Sequence, residues 1–182
     1  MEDKLLMWKL RRGDSQALQR IYEKYKNTLL ALAVHLCRDR DMAEDILHDI
    51  FVSFSRKAAG LYIKTSLKSY LAASIVNRVR NLARSPAEKT EPLEDRDFRN
   101  ENLPGPQQLV ELEEDVGLLD EAIHQLPTAQ REVLLLHLGQ GLTFKAIAQY
   151  LDESINTIQS RYRYGLQKLH ALLTNEVQYD QN

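Results

Sequence analysis

Four of the five prolines in the chain fall within residues 85–106, in the run SPAEKTEPLEDRDFRNENLPGP. Proline has no N–H to donate and its ring clashes with the preceding helical turn, so no long helix crosses this window. The only large apolar residues there are Leu93, Phe98 and Leu103, with no helical period. The window predicts an extended acidic linker at 85–106, which divides the 182 residues into a domain at 1–84 and a second at 107–182. On both sides of it apolar residues recur at steps of three and four, and no stretch alternates as a strand would. The fold class this predicts is all-α: two small helical domains joined by a flexible linker.

In the first domain the spacing predicts a short helix over about Lys4–Arg12. A longer one follows, capped by Asp14 or Ser15, with Ala17, Leu18, Ile21, Tyr22, Tyr25, Leu29, Leu32, Ala33 and Leu36 on its apolar side. Asp39 or Asp41 caps a third helix, where Ile46, Leu47, Ile50, Phe51 and Phe54 form a stripe opposite Glu44, Asp45, His48 and Asp49. Gly60 interrupts the pattern. A last helix starts near Ser66, with Leu67, Leu71, Ile75, Val79 and Leu82 on one side. The second domain opens with a helix over about 107–125 that stops at Leu126-Pro127. Thr128 is the expected cap of Ala129–Leu138, which Gly139 and Gly141 end.

Composition excludes several classes. Cys37 is the only cysteine, so neither a disulfide framework nor a multi-cysteine metal site is available. No apolar run nears the ~20 residues that span a bilayer. The opening MEDKLLMWKLRRGD puts acids before bases, the reverse of a signal peptide, so a cytoplasmic protein without membrane insertion is expected. The five histidines are scattered, and neither a GxSxG nucleophile elbow nor a phosphate loop is present. No enzyme, cofactor or metal is expected.

The net charge of −2 conceals an asymmetry. Residues 1–84 carry sixteen basic and nine acidic side chains, residues 85–122 three and twelve, and residues 123–182 five of each. A basic, an acidic and a neutral block predict segments with different partners.

Thr143–Leu173 is the most informative stretch. Phe144, Ile147, Ala148 and Leu151 have core spacing on one helix, Asp152-Glu153-Ser154 form a tight turn, and Ile155, Ile158, Tyr162, Leu166 and Leu169 form a stripe on the next. That is a helix-turn-helix, whose second helix enters the major groove of DNA. The other face carries Asn156, Thr157, Gln159, Ser160, Arg161, Arg163 and Lys168, side chains that bond base edges and phosphates. Arg161 and Arg163 lie about 200° apart around the helix, so one is expected on a base edge and the other on a phosphate.

The run Leu126-Pro127-Thr128-Ala129-Gln130-Arg131-Glu132-Val133, then Gly141-Leu142-Thr143-Phe144-Lys145-Ala146-Ile147-Ala148, then Thr157-Ile158-Gln159-Ser160-Arg161 resembles region 4 of sigma-70-family factors, whose pattern is LP..QREV, GL(S/T)..EIA, TV.SR. Met42-Ala43-Glu44-Asp45-Ile46-Leu47-His48-Asp49-Ile50-Phe51 is similar to the DAED helix of region 2. Ser66-Leu67-Lys68-Ser69-Tyr70-Leu71 and Asn77-Arg78-Val79-Arg80-Asn81-Leu82 resemble that family's SF..WL...A.N segment. Two such regions and a short linker resemble the extracytoplasmic-function class. Tyr70 stands where Trp is usual and His48 where Gln is usual. Tyr164, Gly165, Leu166 and Gln167 thin the basic tail of the last helix, which weakens phosphate neutralisation.

The resemblance implies a non-catalytic transcription initiation factor. Its implied partners are core RNA polymerase, through the largest-subunit coiled coil and the flap, and promoter DNA, with an anti-sigma factor as a further candidate. Glu44, Asp45, His48 and Asp49 would dock on the coiled coil. Residues 154–170 would read the minus-35 duplex. Tyr62, Lys64, Lys68, Asn77, Arg78, Arg80, Asn81 and Arg84 would open and hold the minus-10 element, since cations meet the backbone of a melted strand and aromatics stack on its bases. Tyr62 is the stacking candidate, and Tyr70 is expected in the core. Two other readings stay open on sequence alone: a stand-alone helix-turn-helix regulator that never engages polymerase, and an interaction module without DNA binding.

Overall fold

The computed structural model describes residues 2–63, 65–84 and 117–179. All regular structure among them is helical. The first domain comprises α1 (Glu2–Arg11), α2 (Ser15–Cys37), α3 (Arg40–Lys57), a 3-10 turn (Ala58–Gly60) and α4 (Leu67–Arg84). The second comprises α5 (residues 117–124), α6 (Thr128–Leu134) with a π-helical turn (Leu135–Gly139), α7 (Phe144–Leu151) and α8 (Ile155–Tyr179). The linker expected at 85–106 and the start of the helix expected from 107 lie outside the described residues.

Local chemistry sets the helix starts. Of the paired capping candidates, Asp14 and Asp39 act: Asp14 Oδ1 accepts from the Gln16 N–H at 2.9 Å, and Asp39 Oδ1 accepts from Met42 at 2.9 Å. Ser66, Thr143 and Ser154 accept likewise from Ser69, Ala146 and Thr157. Each such cap stabilises its helix by roughly 1 kcal/mol. Thr128 is not a cap. The Pro127 carbonyl already accepts from Gln130 and Arg131, which places Thr128 inside the first turn. Helix α6 also ends at Leu134, four residues short of expectation. There the chain widens into the π turn, whose next amides reach back to Leu135 and Leu136, and Gly141 closes it at φ +70°.

In the first domain α2 packs against α1, α3 and α4 around Ile21, Leu29, Ile46, Phe54, Leu71 and Ile75, none more than 2% exposed. Two expected stripes need correction. Leu82, at the end of α4, is 37% exposed. On α8 Ile155 and Leu166 point outward, and the packed face runs through Ile158 and Gly165 instead. A Cβ on Gly165 would lie 3.0 Å from Leu134 Cδ1, so the absent side chain lets α8 approach α6. Ring contacts of His137 with Phe144 and Tyr162, at 4.3 and 4.9 Å between centroids, fasten the π turn to α7 and α8.

The two domains share one buried apolar cluster, which runs from Ile75 and Val76 of α4 to Val133, Leu136, Ile147 and Leu151. Polar contacts reinforce the junction. The Gln140 side-chain amide donates to the Thr28 carbonyl at 3.1 Å, and Arg38 pairs with Glu121 at 3.3 Å.

Candidate nucleic-acid interface

The helix-turn-helix is built as its sequence dictates. Thr143 caps α7, Asp152 takes the left-handed conformation at φ 54°, and Glu153 N–H closes the turn on the Ala148 carbonyl at 3.0 Å. Aspartate tolerates that backbone region better than most residues because its short side chain bonds locally. Ser154 then starts α8.

The seven duplex-reading candidates separate into groups. Asn156, Gln159 and Arg163 are exposed and follow steps of three and four, so they share one outward line; half-buried Ser160 flanks it. Thr157 is engaged in the cap, through the Ser154 hydroxyl at 2.8 Å. Arg161 donates to Glu153 Oε1 at 2.7 Å, and its other terminal nitrogen is buried with no partner among the described residues. Lys168 is exposed two turns after Arg161, on a different line from Arg163. Arg163 lies over the exposed Tyr164 ring at 5.1 Å.

The candidates of the first domain also separate. Tyr62 is 81% exposed, and Asn81 is exposed near the end of α4; Lys68 is half-buried, and the side chain of Arg84 lies outside the described residues. Lys64 lies outside the described residues. Asn77, Arg78 and Arg80 are engaged. Asn77 donates to the Tyr150 carbonyl at 3.4 Å, and Arg78 pairs with Asp49 at 2.8 Å. Arg80 holds both carboxylate oxygens of Glu132, with its Nε at 2.9 and 3.0 Å. That bond raises the guanidinium pKa further above its already high range. Tyr70 is half-buried between Phe54 and Tyr150, as the sequence reading had it.

The acids of α3 are all exposed. Glu44, Asp45 and His48 line a groove of about 500 Å³ between α2 and α3, together with Tyr22, Lys26, Asn27, Leu30 and Leu47. Asp49 is turned away towards Arg78. The α2 contribution was missed from sequence. Its spacing on α2 places Tyr22 on the apolar side, yet it is 39% exposed and meets Phe51 edge-on at 5.0 Å. Lys26, one turn on and 5.9 Å from that ring, was the available signal.

Residues 21–88 match the family Sigma-70 region 2, and residues 117–169 match Sigma-70, region 4. The chain belongs to the sigma-70 family. It is an extracytoplasmic-function sigma factor: a non-catalytic subunit that directs RNA polymerase to initiate at specific promoters. Among its relatives, the sigma-H factor of Pseudomonas aeruginosa is 24% identical over 169 residues, 88% of each chain. The extracytoplasmic-function factor SigM of Mycobacterium tuberculosis is 26% identical over 162 residues, 88% of this chain and 79% of that one. In fold, this sigma factor is similar to CnrH, solved in complex with the cytosolic domain of CnrY, at TM-score 0.72 and 19% identity over 96% of this chain and 99% of that one. It is also similar to RpoE of Bartonella quintana, solved with the anti-sigma factor NepR, at TM-score 0.62 and 22% identity over 86% and 98%. Among the described residues, no helix is long and apolar enough to cross a membrane.

Proposed function

We propose that this sigma factor divides promoter recognition between its domains. The exposed line Asn156–Gln159–Arg163 on α8 reads the minus-35 duplex, with Ser160 beside it and Lys168 on the backbone. Tyr62, Lys68, Asn81 and Arg84 receive the melted minus-10 strand, joined by Lys64, Asn77, Arg78 and Arg80. The α2–α3 groove takes the coiled coil of the largest polymerase subunit, and the second domain contacts the flap. The observation that carries this reading is the coexistence in one chain of an exposed acidic face on a basic domain and a helix-turn-helix in the neutral segment 123–182. A stand-alone regulator has no use for the acidic face. The site of action is the cytoplasm, where transcription takes place. An anti-sigma factor is proposed as a further partner, since RpoE of Bartonella quintana is solved with the anti-sigma factor NepR.

Run-off transcription tests the whole scheme. Purified core enzyme is given fragments of the host genome with and without the chain. Discrete new transcripts that need the chain are expected. Core that gains no promoter-dependent product on any fragment would overturn the reading.

A further inference from the structure

The side of α4 that carries minus-10 candidates is the side on which the second domain sits. Ala73, Asn77 and Arg80 follow one another at steps of four and three and so share a face. Ala73 is 1% exposed, Asn77 bonds the Tyr150 backbone and Arg80 clasps Glu132. The Thr65 hydroxyl, just before α4, meets the Tyr150 hydroxyl at 2.8 Å. The Glu132 side chain is 2% exposed and that of Arg80 20%. A carboxylate gripping a guanidinium through two oxygens has the geometry with which Arg also takes a phosphate.

We propose that this sigma factor is self-latched: Glu132 occupies Arg80 in place of promoter phosphate, and the α4 face reaches single-stranded DNA only after the second domain has swung away. The inference rests on the assignment of α4 to the minus-10 element. The ion pair itself holds the latch only weakly, and the rest of the closed form's stability lies in the apolar cluster the domains share. A buried ion pair is offset by the desolvation of both partners, so domains that part return each ion to water at little net loss. Removing one partner is different, because it leaves the other charge half-buried and unpaired in the closed form alone. Glu132→Gln therefore biases the chain towards the open form. Linkage requires the converse: a strand that binds only the open form must open the wild-type chain.

The test uses the full chain with a mixed-sequence single-stranded DNA oligonucleotide as probe. Dyes on Arg56→Cys and Gln167→Cys, both exposed positions, report the distance between domains in a Cys37→Ser background. Saturating oligonucleotide should lengthen that distance in the otherwise wild-type chain. Glu132→Gln should lengthen it without DNA and tighten oligonucleotide binding about fivefold or more. Glu23→Gln, which removes an equal charge from exposed α2, should do neither. An unchanged distance at saturating oligonucleotide overturns the latch, whatever the variant does, so a Glu132→Gln chain that fails to fold leaves the question decidable. A natively helical Glu132→Gln chain with wild-type affinity and distance overturns it too. Failure in run-off transcription is a separate result, because the distance is read without polymerase.

Discussion

Arg161 and Arg163 stand two positions apart on α8, and their neighbours give them different work. Arg163 is exposed and lies over the Tyr164 ring. Arg163→Ala should weaken duplex binding alike across sequences and lower the slope of log affinity against log salt by about 1, read by fluorescence anisotropy at two salt concentrations. Arg161 closes the turn on Glu153, with both side chains mostly covered. Arg161→Ala and Glu153→Gln should each lower the thermal midpoint, with a coupling of roughly 0.2–1 kcal/mol in a double-mutant cycle. A change of base preference in Arg161→Ala with no loss of stability would instead make Arg161 the reader. Residue types at the site were legible in sequence, since basic and amide side chains cluster on both candidate DNA faces. Their engagement was not. Whether Arg161 points at DNA or at Glu153 depends on the local bend at Asp152, and Arg78 meets Asp49 only once α3 and α4 are packed.

Helices were readable because their determinants are local: apolar spacing, a capping oxygen, a glycine or proline at the end. Errors fell where a neighbouring element decides. Leu166 has the right spacing for a packed face, but α6 lies so close that glycine takes that place. In Gly165→Ala the added methyl would gain about 0.5–1 kcal/mol of helix propensity and meet Leu134 Cδ1 at 3.0 Å and Gln130 Cβ at 3.3 Å. Crowding of a packed core typically costs about 1–3 kcal/mol, so a net loss near 1 kcal/mol is expected in urea unfolding. Shortening the neighbour in Gly165→Ala/Leu134→Ala should relieve the added strain, which separates crowding from backbone effects. The α2–α3 groove likewise needs both helices. Glu44→Lys with Asp45→Lys should reduce capture of core polymerase while far-ultraviolet circular dichroism stays native. Tyr22→Ala, on the other wall, should act in the same direction. Asp49→Lys is a poorer probe, since it also breaks the Arg78 pair.

The sequence divides the molecule at its prolines, and the structure joins the halves through contacts that no local pattern encodes. Arg80 meets Glu132 52 positions away, and Gln140 meets Thr28 at a separation of 112. Another such junction brings α2 against α5, where His35 and His124 stack at 6.4 Å between ring centroids. Both rings approach Asp120 Oδ1 through Nε2, at 3.2 and 3.4 Å. The Arg131 guanidinium donates to His124 Nδ1 at 3.2 Å. An arginine has only hydrogens to offer, so Nδ1 accepts and the proton of neutral His124 sits on Nε2, facing Asp120. Burial lowers the His124 pKa to about 4; Asp120 opposes the shift, and Arg38, Arg131 and His35 add to it. In the unfolded chain the same ring titrates near 6.5. Between these values the unfolded state holds a proton that the folded state refuses, so stability rises with pH across the window. The contribution is complete above pH 6.5 and is lost progressively as pH falls towards 4. Asp120 and Glu121 pair with His35 and Arg38 of the first domain, so this ring sits at the surface where the two domains meet. The urea midpoint of the wild-type chain should therefore drop between pH 7 and pH 5. In His124→Gln, which keeps an acceptor for Arg131 but cannot titrate, that drop should shrink. Equal pH dependence in both chains would mean that His124 carries no share of it.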